Sequence, residues 1–365
     1  MADPIRDVLE AAVRDGLTPG CAAAVVDADG HVDRFCTGTL AADDASSTRY
    51  LVDEDTVYDT ASLTKLLVTA TLVADAIDDG IVERDETPWP RWPGLSVEHA
   101  LSHSGGLPAH RPYFEALRAD PERSHLLGRD GGRAAIVDAV LATEPETETG
   151  QRVVYSDLGF IALGDLLQQR RGRRLDALWQ AHPFSQGTGA RFVCLQDDGY
   201  HPALPLVAPT EYCPWRRRFV QGQVHDDNAF AMGGVAGHAG LFASLNDVIA
   251  LAGRLLTRLR TPGDTLSSFA GYRTLSHPLR GLAFDVATPG GSTGDALGPR
   301  TVGHLGFTGT SLWLDPDAGD GGRAFVLLAN TVHLGRDSTL ARNRALRVAF
   351  HRAAARGGAL KAGCS

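Results

Sequence analysis

The sequence predicts an α+β fold: one antiparallel sheet built from both ends of the chain, flanked by terminal helices, with a mostly helical region inserted between. Three observations predict it. A helix pattern and a hairpin open the chain, four strand-like runs and a helix close it, and the apolar periodicity between is helical. The expected division is residues 1–60 with 245–365 as a discontinuous sheet domain, and 61–244 as a mostly helical domain. The 365 residues are 43% hydrophobic and 22% charged, which supplies one large core or two smaller ones.

Taken in order, Asp3 caps the first helix and Pro4 suits its first turn. Ile5, Val8, Leu9, Ala12 and Val13 form its apolar stripe, and Gly16 ends it. Residues 21–26 are an apolar strand, Asp29-Gly30 a tight turn, and 31–38 the return strand. A buried helix is expected over 62–77, with Leu66, Leu67, Ala70, Val73 and Ile77 inward and Gly80 as its stop. Pro88, Trp89, Pro90, Trp92 and Pro93 make a rigid loop. Further helices are expected at 97–103, 134–141 and 158–169, and 187–223 is irregular. Ser244 with Asp247 resembles a capping box opening a helix through Leu256. Strands follow at 282–286, 302–305, 311–314 and 324–329, with a polar turn at 317–322, and a helix at 339–355 closes the chain.

The net charge of −9 offers no general grip on nucleic acid. The one dense basic run, Arg170, Arg171, Arg173 and Arg174, reads as a solvated helix end. Five widely spaced cysteines (Cys21, Cys36, Cys194, Cys213 and Cys364) with no CxxC indicate reduced thiols, not a disulfide scaffold or zinc knuckle. The N-terminus has no basic stretch leading into an apolar one, and no run reaches the ~18 apolar residues of a membrane span. The expectation is a cytoplasmic protein with no membrane partner, no cofactor and no metal.

Only two of the 35 Lys and Arg residues are lysines, Lys65 and Lys361. A lysine where arginine is the default points to ammonium chemistry, because lysine gives up its proton when buried and arginine does not. Lys361 reads as a surface residue. Ser62-Leu63-Thr64-Lys65 is an S-x-x-K motif at the start of the apolar helix, and its spacing puts both side chains on one face. A serine hydroxyl needs a neighbouring base. A desolvated lysine serves if its pKa falls, or it relays the proton. The helix start adds unpaired N–H groups that favour an oxyanion. Tyr155-Ser156-Asp157 precedes another helix. A phenol beside an ammonium is expected to ionise below its usual ~10 and serve as a base. Gly306, in His304-Leu305-Gly306-Phe307-Thr308-Gly309-Thr310, lets a substrate approach the strand edge.

Together these resemble the serine β-lactamase and penicillin-binding-protein superfamily, with its S-x-x-K, Tyr-x-Asn and K-T-G motifs. The closest likeness is to class C β-lactamases, family VIII carboxylesterases and DD-peptidase-like hydrolases. Ala61-Ser62-Leu63-Thr64-Lys65 resembles their A-S-x-T-K. Leu101-Ser102-His103-Ser104-Gly105-Gly106-Leu107-Pro108 resembles their L-x-H-T-S-G-L-P, and residues 233–242 resemble G-G-x-x-G-H-A-G-L-F. The resemblance implies a β-lactamase/transpeptidase-like fold with its active site between the two domains. It implies Ser62 as nucleophile, Lys65 as its proton partner and Tyr155 as general base. It also implies an oxyanion hole from the backbone N–H groups of Ser62 and Phe307. Asp157, His304, Gly306 and Thr308 fall at substrate-binding or supporting positions.

Three departures bear on substrate. Asp157 replaces the usual Asn and could hold Lys65 protonated. His304 replaces Lys and removes a fixed cation. Leu305 replaces Thr and removes a hydroxyl that would contact a substrate carboxylate. A neutral small ester or amide is therefore expected over a lactam. D-amino-acid peptidase, weak β-lactamase and acyltransferase activity are the enzymatic alternatives, and a catalytically weak binding protein is the alternative of another class. The sequence leaves the oligomeric state open. Gly290-Gly291-Ser292-Thr293-Gly294 fits G-x-S-x-G but lacks the strand and helix of a nucleophile elbow. His99 with His103, and His225, Asp226, Asp227, Asn228 and His238, are candidate metal ligands that read better as structural histidines and a polar network.

Overall fold

The computed structural model describes residues 3–27, 30–42, 50–196, 201–319 and 321–362. Its main sheet has six antiparallel strands: β1 Gly20–Val26, β2 Val32–Gly38, β3 Asp285–Val286, β4 Val302–Leu305, β5 Ser311–Asp315 and β6 Arg323–Ala329. Their spatial order is β2-β1-β6-β5-β4-β3, so the two chain ends meet at the sheet centre. There Cys21 stands opposite Ala329 and Val25 opposite Phe325. The mixed α and β architecture matches the expected fold class.

Every residue of β1 is buried, because both faces of the sheet are covered. Alternation sorts the side chains. Ala22, Ala24, Leu312, Leu314, Val326 and Leu328 face a large core shared with the helical region. Cys21, Ala23, Val25, Trp313, Phe325 and Leu327 face a smaller core. The smaller core is closed by Ile5, Leu9 and Ala12 of α1 (Pro4–Arg14) and by Leu346 and Phe350 of the last helix, Thr339–Ala362. Asp3 caps α1 through the N–H groups of Ile5 and Arg6, as its position predicts. The capping box at Ser244 and Asp247 opens the helix Leu245–Arg260 with both reciprocal bonds formed. Asp29 of the expected turn and Cys364 lie outside the described residues, as does the Lys361 side chain.

Three of the differences from the expected elements have a local cause. The helix expected over 97–103 is Val97–Leu101, because His103 turns to φ +58° and its Nδ1 accepts from the Ser156 N–H. The strand expected over 282–286 is only β3, because Ala283 sits at φ +62° and donates its N–H to the Leu101 carbonyl. The helix behind Ser62 begins after that residue. It runs as a π-helix over Lys65–Ala70 before continuing as α-helix over Thr71–Asp78.

In the basic run at 170–174, three of the four arginines meet carboxylates, Arg170 with Glu86, Arg171 with Asp79 and Arg174 with Asp176, and Arg173 donates to the Ala177 carbonyl. Among the described residues, no helix is long and apolar enough to cross a membrane.

A second, three-stranded sheet links the regions. Tyr58–Asp59 pairs with Leu241–Ala243, which pairs with Arg191–Phe192. Close backbone approach holds the helix Asp157–Arg171 against the loop before this sheet. A Cβ on Gly237 would stand 2.1 Å from the Phe160 carbonyl oxygen. Gly237→Ala is expected to destabilise the protein by about 1–3 kcal/mol, checked by urea melts against wild type.

Candidate active site

The approach to Ser62 is a strand followed by a strained turn. Thr60 donates its N–H and hydroxyl to the Leu241 carbonyl. Ala61 takes φ +50°, unusual for a residue with a side chain, and donates its N–H to buried Asp59 Oδ1 at 2.9 Å. Thr64, the Thr of the A-S-x-T-K run, donates to the Ala61 carbonyl and accepts from the Leu241 N–H. The turn is thus clamped, and of residues 61–70 all but Ser62 are buried.

Lys65 is wholly buried. Its Nζ donates to Ser62 Oγ at 3.0 Å, Asp157 Oδ1 at 2.8 Å and the His238 carbonyl at 3.1 Å. The same ammonium lies 5.0 Å from the centre of the Tyr155 ring, and the phenol is electrostatically coupled to Lys65. The three residues of the predicted triad therefore meet across the S-x-x-K turn and the loop before helix Asp157–Arg171. Tyr155 is held between the rings of His103 (4.6 Å) and His304 (5.8 Å).

Lys65 stays protonated, in line with the Asp157 departure, while the expected ionisation of Tyr155 below its usual value is corrected. Burial disfavours the ammonium, but the Asp157 charge and hydrogen bond oppose it and the Lys65 pKa rises above that of an ordinary lysine. The Tyr155 pKa also rises, because burial and the Asp157 charge outweigh the help from Lys65. The resting site therefore holds an ammonium and a neutral phenol. Burial opposes the Asp157 charge, yet Lys65 and His110 hold its carboxyl well below the usual range. Its place in the first turn of a helix adds to this.

The loop 306–310 reaches the site from the end of β4. Thr308 and Thr310 hydroxyls donate to the carbonyls of Asp59 (2.8 Å) and Thr60 (2.9 Å), which ties the loop to the turn bearing Ser62. Among the described residues, neither the Ser62 nor the Phe307 N–H has a hydrogen-bond acceptor. Gly306 is required by internal packing. A Cβ there would fall 2.0 Å from Thr310 Oγ1 and 2.6 Å from the Thr60 carbonyl oxygen.

His304 is buried, its Nδ1–H donates to the Leu305 carbonyl at 2.9 Å, and burial lowers its pKa to about 4. His351, buried under the sheet, is likewise lowered to about 4, and His103 falls well below the usual histidine value. These three stay neutral when folded and charge on unfolding. A depressed folded pKa contributes stability above the unfolded value of ~6.5 and loses it as pH falls through that value toward 4. His304 and His351 are each worth about 3 kcal/mol in this way. The unfolding free energy is expected to fall steeply between pH 7 and 4.5, and chemical melts across that range check it.

Two residues at the site carry no sequence signal. His110, half-exposed, places Nδ1 3.2 Å from Asp157 Oδ2, so Asp157 is shared between Lys65 and an imidazole at the surface. Arg280 lies 5.0 Å from the Tyr155 ring centre and is paired with Asp285. Neither belongs to a repeating pattern or motif, and only the fold brings them in.

The metal readings give way to hydrogen bonds. His225 pairs with Glu211, His238 with Asp226, and Asp227 with Arg216. Asn228 bridges the Arg111 carbonyl and the Phe114 N–H. His99 closes a capping box with Ser96. Ligand atoms of His110, Asp157 and Asp226 lie within 4.8 Å of one another, but Lys65 and His238 already answer both carboxylates. Gly290–Gly294 is a loop against the last helix, where the Ser292 carbonyl accepts from His351, and not a nucleophile elbow.

The chain is similar to a "Putative D-alanyl-D-alanine carboxypeptidase" of Escherichia coli (strain K12), 27% identical over 321 residues, covering 76% of this chain and 70% of that one. In fold it resembles the simvastatin synthase LovD of Aspergillus terreus, in its LovD6 mutant (TM-score 0.70, 18% identity, 99% and 98% of the two chains). It also resembles EstCE1, described as a hydrolase with promiscuous acyltransferase activity (TM-score 0.68, 18% identity, 95% and 97%). The model of the family described as Beta-lactamase matches residues 5–349. With nearly the whole sequence inside that match, the chain belongs to the Beta-lactamase family, whose members are serine hydrolases.

Proposed function

We propose that this protein is an esterase-type acyl hydrolase that works through an acyl-enzyme on Ser62. The observation that carries the reading is Lys65 Nζ 3.0 Å from Ser62 Oγ, with the Tyr155 ring centre 5.0 Å from the same ammonium. The active form has lost one proton from the Lys65–Tyr155 pair. Tyr155, as phenolate, takes the Ser62 proton as Oγ attacks the acyl carbonyl, and Lys65 stabilises the charge. The carbonyl oxygen becomes an oxyanion facing the Ser62 and Phe307 N–H groups. The tetrahedral intermediate expels the alcohol, which takes the proton back from Tyr155. Water then repeats the sequence to release the acid. In this reading the sheet domain (1–60 and 245–365) and the helical domain (61–244) meet at the site. The pairing of Tyr58–Asp59 with Leu241–Ala243 at both crossing points supports that division.

A neutral acyl ester or amide fits best. His304 is neutral, Leu305 offers no hydroxyl, and the cations beside Tyr155, Lys65 and Arg280, are each paired with a carboxylate. The name of the Escherichia coli relative favours a second reading, a D-amino-acid carboxypeptidase. That activity needs a cation for the terminal carboxylate, and Arg280 would have to exchange Asp285 for it.

A substrate panel of p-nitrophenyl acetate and butyrate, D-alanyl-D-alanine peptides and nitrocefin separates these readings. Ester turnover well above the other two is expected. Rapid nitrocefin turnover with no ester hydrolysis would refute the esterase reading, and peptide turnover lost in Arg280→Gln would establish the second one.

A further inference from the structure

Arg347 is a buried cation that the mechanism above leaves unused. It sits on the last helix, is 5% exposed, and has no carboxylate partner among the described residues. Burying a guanidinium with no carboxylate in hydrogen-bond reach is costly, and burial lowers its pKa to about 10 against the opposing pull of Asp285. Its hydrogen bonds indicate what that cost supports. Nη2 donates to the Gly306 carbonyl at 2.5 Å and the Thr310 carbonyl at 2.8 Å, the two ends of the loop bearing the Phe307 N–H.

The same helix face does more. Asn343, one turn earlier, donates to the Phe307 carbonyl at 2.8 Å. The Thr331 hydroxyl lies 3.2 Å from the Thr308 carbonyl oxygen and hydrogen-bonds Asn343 Oδ1. The loop is thus held on one side by the last helix, while Thr308 and Thr310 tie it to Asp59 and Thr60 on the other.

The Gly306 carbonyl and the Phe307 N–H belong to one planar peptide group, so a donor that fixes the oxygen fixes the direction of the N–H. A cation on that oxygen also draws electron density from the nitrogen and strengthens its N–H as a donor. We propose that Arg347 is a positioning residue of the oxyanion site, holding and polarising the Gly306–Phe307 peptide so that its N–H is aimed before substrate arrives. Asn343 fixes the next peptide of the same loop. The inference rests on the reading of Phe307 as an oxyanion donor.

The test measures kcat and KM for p-nitrophenyl butyrate, inhibition by phenylboronic acid, and Tm, in wild type, Arg347→Met, Arg347→Lys and Asn343→Ala. The boronate adduct of Ser62 carries a tetrahedral centre in the same pocket. Loss of a whole oxyanion donor costs about 10²–10³-fold in kcat, so Arg347→Met is expected to cost about 10–100-fold with KM little changed. Boronate affinity should fall in parallel, and Arg347→Lys should recover part of both. If Arg347→Met does not fold, Asn343→Ala carries the test, with an expected loss of about tenfold. A folded variant with lowered Tm but wild-type kcat and boronate affinity would overturn the inference, as would a kcat loss that boronate affinity does not follow. If wild type fails to bind the boronate, or Ser62→Ala keeps full turnover, the parent reading falls instead.

Discussion

Ser62→Ala is expected to reduce ester turnover to the uncatalysed background, and Tyr155→Phe to lower kcat by about 10²–10⁴-fold with KM little changed. The first loss removes the atom proposed to form the acyl bond. The second removes a proton acceptor while leaving its packing intact, because the phenylalanine ring still fills the space between His103 and His304. The two effects will not add. Groups that act as one unit fail together, so the double variant should be no worse than Ser62→Ala alone. Intact-mass measurement with a fluorophosphonate probe gives an independent reading: one adduct on wild type and none on Ser62→Ala. An adduct that survives in Ser62→Ala would sink the nucleophile assignment. A Tyr155→Phe variant keeping more than a tenth of kcat would sink the base.

The parts of the site that were legible in the sequence are those held by local geometry. Ser62 and Lys65 are three residues apart, and the scarcity of lysine makes Lys65 conspicuous. Helix starts at Asp3 and Ser244 were legible because a cap acts within four residues. The π-helix was not, because all six residues of Lys65–Ala70 are buried and a stripe that covers every face carries no period. His110 reaches Asp157 across 47 residues, and Arg347 reaches Gly306 across 41, so only the assembled fold relates them. The proton states of Lys65 and Tyr155 are not fixed by local sequence for a related reason. Burial and neighbouring charge push in opposite directions at both, and their balance depends on how Asp157 packs.

Asp157→Asn is therefore expected to move the pH–rate profile of ester hydrolysis to lower pH by at least about one unit, since one unit is only 1.36 kcal/mol of interaction with the ammonium. In wild type, Asp157 at 2.8 Å raises the Lys65 pKa, and the proton-accepting form of the Lys65–Tyr155 pair appears only as pH rises. An amide keeps an oxygen for the Lys65 hydrogen bond but gives no charge, so the pair loses its proton sooner. Stability moves the other way. A wholly buried ammonium left without its counter-charge costs about 3–5 kcal/mol. Asp157→Ala, which also loses the hydrogen bond, should approach that figure, and Asp157→Asn should lose less because Lys65 can neutralise. The sign with pH is fixed by the two shifts. The depressed Asp157 pKa contributes stability above ~3.9 that is lost as pH falls through the folded value. The raised Lys65 pKa contributes stability below ~10.4 that is lost as pH rises through its folded value. The Tm difference between wild type and Asp157→Asn should thus be widest from about pH 5 to 9 and close in strong acid. A profile that stays in place while Tm falls would mean that Asp157 only braces the fold. A shifted profile would make Asp157 the residue that sets the working pH of this site.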